Sequence, residues 1–377
     1  MVDLRYTRRD FCKHLSQCVC TLGMGNLLSP ASLLAADETS LHEVSFYKKL
    51  PDLKIECEIC PKKCAIADLE RGYCGNKENR KGTYYSLVYA KACAAHIDPI
   101  EKKPLFHYLP ATQALSIASV GCNFECKFCQ NWRIAQYRPE QVESFDLPPE
   151  EVVSLAQDKG CPTIAYTYTE PVVFYEYMHD TAQLARTKGV GSVMISNGYI
   201  NEEPLLKLCA QLTGVKIDLK AFSAPFYKDY CSGELQPVLA TLKTLQKAGI
   251  WYEIVVLLIP TLNDSEGEIR AMCQWIKAEL GVSVPVHFSR FHPMYKIKNL
   301  PSTPVKTLEQ ARTVARETGL HYVYLGNVPG HEGENTYCPG CNQLLIRRAG
   351  FHIVKNVLKA GNCPRCGLAI PGVWERI

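Results

Sequence analysis

ALSIASVGCNFECKFCQNW, residues 114–132, joins an apolar run to a loop carrying three cysteines. The run 114–121 is rich in small and β-branched side chains, the composition of a buried strand. Cys122, Cys126 and Cys129 follow at once, with three and two residues between them and Phe128 before the last. Three thiolates on one short loop suit three irons of a 4Fe–4S cube. The fourth iron then has no protein ligand, because that loop has no fourth cysteine, and an open position is where a small molecule binds. A structural zinc site takes four ligands, usually in two pairs, which this loop does not offer.

Outward from that loop the pattern alternates. PPEEVVSLAQDKG (148–160) reads as a helix, with proline at its start, acids in its first turn and glycine at its stop. TIAYTY, VGSVMIS, VKIDLKA, WYEIVVLLIP, PVHFSRFHP and YVYLGNVP read as strands, and 172–189, 202–212, 236–249, 265–281 and 307–319 as the helices between them. Strands about 30 residues apart with helices between them make βαβ units and a parallel sheet. Six such units before the last strand predict an α/β fold with a (partial) βα barrel. Function in such a barrel sits at the C-terminal ends of the strands. The polar residues there are Cys122, Thr169, Glu170, Ser196, Asn197, Asp218, Lys220 and His292. Taken singly, a helix cap or a surface ion pair would explain most of them; two charges in the apolar context of DLK need partners if buried.

Cys-x3-Cys-x2-Cys after the first strand of a βα barrel resembles the radical S-adenosylmethionine (SAM) superfamily. AYTYTEP, SNGY, DLKAF, LLIPTLND, HFSRFHP and YLGNVPG, in this order, resemble the relatives of pyruvate formate-lyase activating enzymes, and most of all the AmmeMemoRadiSam family. The resemblance covers nearly all of the chain beyond residue 50. It implies a 4Fe–4S cluster on Cys122, Cys126 and Cys129. It implies SAM bound by the stretch Tyr168, Thr169 and Glu170 at its amino group, by Asp218 and Lys220 with Lys220 near its carboxylate, by Ser196 and Asn197, and by His292 near the ribose. Relatives carry a monovalent cation beside the stretch that holds Ser196. Here Ile195 and Ser196 replace two of its ligands, which puts such a cation in doubt. The implied reaction is reductive cleavage of SAM to a 5′-deoxyadenosyl radical, which abstracts hydrogen from a protein or small-molecule substrate. A low-potential electron donor is an implied partner, and Memo-type and Amme-type proteins are candidate partners.

The chain has 377 residues, 19 of them cysteine, an odd number that a full set of disulfides within one chain cannot use. Two further clusters flank the barrel. Cys338, Cys341, Cys363 and Cys366 form two pairs separated by 21 residues and read as a zinc ribbon. Cys57, Cys60, Cys64 and Cys74 suit zinc or an auxiliary cluster, and their spacing does not choose between them. The remaining eight cysteines read as small buried hydrophobes. The expected organisation is 1–37 as a twin-arginine signal or tail, 38–112 as a Cys-rich module with a linking β-rich segment, 113–330 as the barrel, and 331–377 as the ribbon.

Composition excludes disorder, and no apolar run is long enough for a transmembrane segment. Net charge is +4, of which residues 338–377 contribute +5, without the aromatic–basic alternation of a nucleic-acid surface, so no nucleic acid is expected. YTRRDFCK near the start resembles a twin-arginine export signal. Free thiols and the need for SAM favour a cytoplasmic enzyme, with export as the alternative. Two other functions compete with catalysis. One is a non-catalytic multi-metal module gripping nucleic acid or a protein partner. The other is an electron-transfer protein, which would have four thiolates at every centre, unlike the 122–129 loop.

Overall fold

The structure, a computed structural model, describes residues 41–376. The export-signal reading of residues 1–37 lies outside them, as do Cys12, Cys18 and Cys20.

The centre of the molecule is one eight-stranded sheet whose strands lie in chain order. β1 (Ala94–Pro99) is an antiparallel edge strand, with Ala94 opposite Ala118. β2 (Gln113–Ala118), β3 (Thr163–Tyr166), β4 (Gly191–Ser196), β5 (Gly214–Asp218), β6 (Tyr252–Leu258), β7 (Val286–Arg290) and β8 (Val323–Gly326) run parallel. Their residues are almost all buried, as strands covered on both faces must be. Six helices make the crossovers: α1 (Pro149–Asp158), α2 (Tyr175–Thr187), α3 (Glu202–Cys209), α4 (Leu235–Ala248), α5 (Glu266–Glu279) and α6 (Val305–Thr318). Start signals written in the sequence place them. α1 opens on Pro149 with Glu150 and Glu151 in its first turn, and the Ser265 hydroxyl caps α5 by accepting the Glu268 N–H at 3.3 Å.

The expected mostly parallel α/β sheet is present, and two details differ from expectation. Residues 172–189 do not form one helix: a 3₁₀ turn, Pro171–Phe174, precedes α2. The Glu170 carboxylate caps that turn by accepting the Val172 N–H at 3.2 Å. The segment expected only to link the Cys-rich module to the barrel contributes β1 to the main sheet. AAHIDP has no clean apolar alternation, because an edge strand leaves side chains such as Ile97 in solvent.

The Cys-rich segment forms two small three-stranded antiparallel sheets, and its Val44, Phe46, Ile55, Ile66 and Tyr84 join the same apolar core as the sheet and helices. At the other end, Thr336–Tyr337, Leu344–Ala349 and His352–Asn356 form a three-stranded antiparallel sheet. Its Leu345 and Ile346 pack with Phe106 and with Tyr324 of the edge strand β8. No helix among the described residues is long and apolar enough to cross a membrane.

Candidate active site

A cavity of about 530 Å³ opens where the parallel strands end. Its wall takes Cys122 from the loop after β2, Thr169 and Glu170 after β3, Asn197 after β4 and Asp218 on β5. Leu257 of β6, Ser289 of β7 and Asn327 after β8 complete the ring. Seven strands laid flat would span about 29 Å at ~4.8 Å per neighbour. Residues at all seven ends meet round one such cavity only because the sheet curls about it.

Gly121 turns the chain from β2 into the cysteine loop. Its φ is +112°, and a Cβ there would lie 3.0 Å from Asn76 Nδ2 and 3.1 Å from the Cys74 carbonyl oxygen, so only glycine fits. The loop is tied across the site by the Glu125 N–H donating to Cys231 O at 2.9 Å and the Lys127 N–H donating to Tyr230 O at 2.9 Å. Cys122, Cys126 and Cys129 all line the cavity. Burial pushes the Cys122 thiol up, and pushes Cys129 up to about 11. Cys126 is pulled down by a hydrogen bond from Cys231, against burial and with help from the Lys220 charge. Among the described residues, no fourth cysteine lines this cavity, and Cys231 packs behind Cys126. Three sulfurs facing one space fit a 4Fe–4S cluster with one iron left free of protein ligands.

The β3 end is held in an unusual backbone state: Tyr168 has φ +65°. Its carbonyl accepts from Asn131 Nδ2 at 2.7 Å, and its hydroxyl donates to Asp98 on β1. The Thr169 hydroxyl donates to Ser119 O at 2.6 Å. Glu170 is 3% exposed and its carboxylate accepts three hydrogen bonds, from the Val172 N–H, the Ser196 hydroxyl at 2.7 Å and the Asn197 N–H at 2.8 Å. Burial still pushes its pKa up, to about 7. Asn197 Nδ2 donates to Asn123 Oδ1 at 2.8 Å and lies 3.9 Å from Cys122 Sγ.

Lys216 and Asp218 on β5 and Lys220, two residues past its end, are spaced two apart, so one face of the extended chain carries all three. Asp218 is paired with Lys216 and, at 2.9 Å, with Lys220. Burial raises the Asp218 pKa, but the two ammonium groups more than offset it and leave it at about 2. The same carboxylate holds Lys220 charged, against burial.

Of the residues expected at the site, Cys122, Cys126, Cys129, Tyr168, Thr169, Glu170, Asn197, Asp218 and Lys220 line this one cavity. Ser196 does not line it and touches it only through Glu170. His292 is exposed, outside the cavity wall, with Nδ1 3.0 Å from Ser302 Oγ.

The sequence reading passed over several neighbours. Lys216 was visible in the alternation K-x-D-x-K. Asp98, with Lys103 at 2.5 Å and Lys102 at 2.7 Å, had no signal, because β1 itself was not read as part of the sheet. Burial drops Lys103 to about 8, against the pull of Asp98. Cys231 was read as core filler. Phe351, in the turn between the last two strands of the C-terminal sheet, reaches the cavity wall.

The two flanking cysteine groups differ in geometry. The thiol sulfurs of Cys338, Cys341, Cys363 and Cys366 all lie within 4.8 Å of one another, with Cys338 to Cys366 at 3.5 Å and Cys341 to Cys363 at 3.6 Å. Cys57, Cys60, Cys64 and Cys74 line a separate small cavity. Burial pushes the Cys57 and Cys60 thiols up, Cys60 to about 12.

Residues 116–275 match the radical SAM superfamily. A Methanocaldococcus jannaschii protein described as "Uncharacterized protein MJ0808" is 49% identical over 329 residues, 87% of this chain and 98% of that one. The benzylsuccinate synthase activating enzyme of Thauera aromatica is 22% identical over 44% of this chain and 54% of its own. A crystal structure of a domain of pyruvate-formate lyase-activating enzyme from Bacteroides vulgatus ATCC 8482 aligns with a TM-score of 0.39 at 16% identity. It covers 43% of this chain and 98% of that chain, and at that distance adds nothing to the assignment. With the match over residues 116–275 and three cysteines on one loop at the mouth of a curled parallel sheet, the chain carries a radical SAM domain and is a radical SAM enzyme that cleaves SAM.

Proposed function

We propose that Cys122, Cys126 and Cys129 hold the 4Fe–4S cluster of this enzyme and that the cavity behind them receives SAM. The observation that carries this is the convergence of three thiols and the Lys216–Asp218–Lys220 group on one wall. When bound, the cluster supplies the electron that splits SAM into methionine and a 5′-deoxyadenosyl radical, which takes hydrogen from the substrate.

The chain's own part is positioning. Lys220 faces the cavity as a fixed positive charge for the SAM carboxylate, held charged by Asp218. Glu170 clamps the ends of β3 and β4 together through Ser196 and the Asn197 N–H, and offers its remaining acceptor capacity to the SAM amino group. Asn197 sets the Cys122 side of the loop. Apolar Val255 and Leu257 on the wall reduce access of water to a reactive intermediate. His292 reaches the ribose only if its exposed loop turns inward.

Activating enzymes of this superfamily need a reductant and a substrate. Memo-type and Amme-type proteins are the partners we propose for this chain, and the cytoplasm, where SAM is made, is its proposed compartment. The C-terminal four cysteines are proposed to bind one structural zinc: their sulfur separations suit ~2.3 Å bonds in a tetrahedron, whose edge is about 3.8 Å. Anaerobic reconstitution followed by assay for 5′-deoxyadenosine tests the central reading. Wild-type protein should form it, and the Cys122→Ala/Cys126→Ala/Cys129→Ala variant should not; product from that variant would refute the assignment.

A further inference from the structure

We propose that Cys57, Cys60, Cys64 and Cys74 hold a second 4Fe–4S cluster, closed by four thiolates and lying directly behind the Cys122 loop, rather than a single zinc ion. The two four-cysteine groups of this chain make the argument by contrast. Four sulfurs round one zinc stand about 3.8 Å apart, and the C-terminal group has that spacing, with pairs at 3.5 and 3.6 Å. Among the described residues, no three of Cys57, Cys60, Cys64 and Cys74 bring their sulfurs within 4.8 Å of one another. Yet all four face the same space, so they are neither scattered nor collapsed on a point. Sulfurs that converge from a wider shell match an occupant with several metal atoms.

Ile59, Tyr84, Val172 and Val173 wall the site beside the four thiols. Ile59 is 3%, Tyr84 1%, Val172 1% and Val173 3% exposed, which keeps water from the centre. The Tyr73 N–H donates to Cys64 Sγ at 3.4 Å, the kind of bond that tunes a cluster's potential.

The location adds the chemical sense. Asn123, the residue after Cys122, lines this second cavity, and its Oδ1 accepts from Asn197 on the wall of the first. Cys74 packs on Gly121, and Asn76 Nδ2 donates to Val120 O at 2.9 Å, just before the Cys122 loop. One residue therefore separates the two metal sites. A cluster with no open iron cannot bind SAM. What it can do is accept one electron from a low-potential one-electron carrier and return to its oxidised level on passing that electron to the neighbouring centre, with no bond made or broken. That relay rests on the proposed role of Cys122, Cys126 and Cys129, whereas the occupancy of the site does not.

The test is metal and sulfide analysis of the full chain after anaerobic reconstitution. Wild-type protein should hold about eight iron and eight sulfide per chain. The Cys122→Ala/Cys126→Ala/Cys129→Ala variant should keep about four of each, with the brown absorption near ~400 nm and a reduced-state paramagnetic signal that SAM does not alter. Cys57→Ser/Cys60→Ser should lose the other half and leave a signal that SAM does alter. Wild-type protein with about four iron and two zinc, or a triple variant free of iron, would overturn the proposal. If the Cys57→Ser/Cys60→Ser variant fails to fold, the first two measurements still decide. Eight irons without any SAM cleavage would count against the proposed function and for this occupancy.

Discussion

Replacing Lys220 by alanine asks whether the charge just past β5 serves SAM or the fold. The Lys220 ammonium is 2.9 Å from Asp218 Oδ2, and Lys216 is bound to the other carboxylate oxygen. Removing Lys220 therefore leaves Asp218 paired, so no buried charge is stranded and the severe penalty of breaking a buried pair is avoided. The lysine is 17% exposed and lies in the cavity wall, and the Asp218 charge keeps it protonated at any working pH. What disappears is a charge-assisted contact to a carboxylate, worth roughly 1.5–3 kcal/mol. At about 1.4 kcal/mol per decade, SAM affinity should fall about tenfold to a hundredfold. The assay is equilibrium SAM binding to anaerobically reconstituted Lys220→Ala, with iron content measured on the same sample. Iron should be unchanged, because Lys220 ligates nothing. Unchanged SAM affinity at unchanged iron would refute the role, and a loss of iron would show that Lys220 supports the cysteine loop instead.

Cys231→Ala should keep the full iron content but shift the midpoint potential of the catalytic cluster, since it removes the hydrogen bond to Cys126; an unmoved potential in a redox titration would discard the idea. Zinc analysis should give one zinc per chain, lost in Cys338→Ser/Cys341→Ser, and iron in that module would contradict it. His107 accepts from the Tyr324 hydroxyl at Nε2 and donates from Nδ1 to Pro371 O at 2.7 Å, a neutral ring whose pKa burial lowers to about 4. A histidine with a depressed folded pKa contributes stability at neutral pH that is lost as pH falls from about 6.5, its unfolded value, to about 4. The loss is of order 3 kcal/mol at about 1.4 per pH unit, and the difference in urea midpoint between wild type and His107→Gln should narrow over that range; a constant difference would rule it out.

How much of this was legible depends on how local each signal is. The crossover helices and parallel strands were readable because their apolar periods repeat within each segment, and proline and acidic starts mark the helices. The cysteine loop was readable because its ligands lie within eight residues. Asp98 was not, because β1 gains its place only by pairing with β2. Cys231 was not, because its meaning comes from Cys126, over a hundred residues away, along a π-helical turn, Tyr227–Cys231, that no periodicity announces. Ser196 and His292 lie at strand ends as expected, but the end of a strand fixes a residue's neighbourhood and not its direction. Ser196 turns to Glu170, and His292 turns outward to Ser302.

The sheet carries a buried charge network at each end, and their difference locates the chemistry. At the start of β6, Glu253 is wholly buried and accepts from the Phe106 N–H at 3.0 Å, the His107 N–H at 2.8 Å, Trp251 Nε1 at 3.3 Å and His287 Nε2 at 2.7 Å. Four donors fill its two oxygens, so nothing remains for a ligand. The two terminal nitrogens of the Arg348 guanidinium donate to Glu334 O, the Thr336 hydroxyl and Phe106 O, which fastens the C-terminal sheet to the segment after β1, while its buried Nε has no partner. This network sets the geometry of the chain around it. At the end of β5, Asp218 has two cationic partners, and it is 27% exposed and lines the cavity with Lys216 and Lys220. These three groups keep donors and acceptors free toward that space. Desolvated charges left open on one side are what a small zwitterion such as SAM can complete, gaining contacts that water would otherwise make. The same sheet therefore uses its buried ions for architecture where the strands begin and for binding where they end.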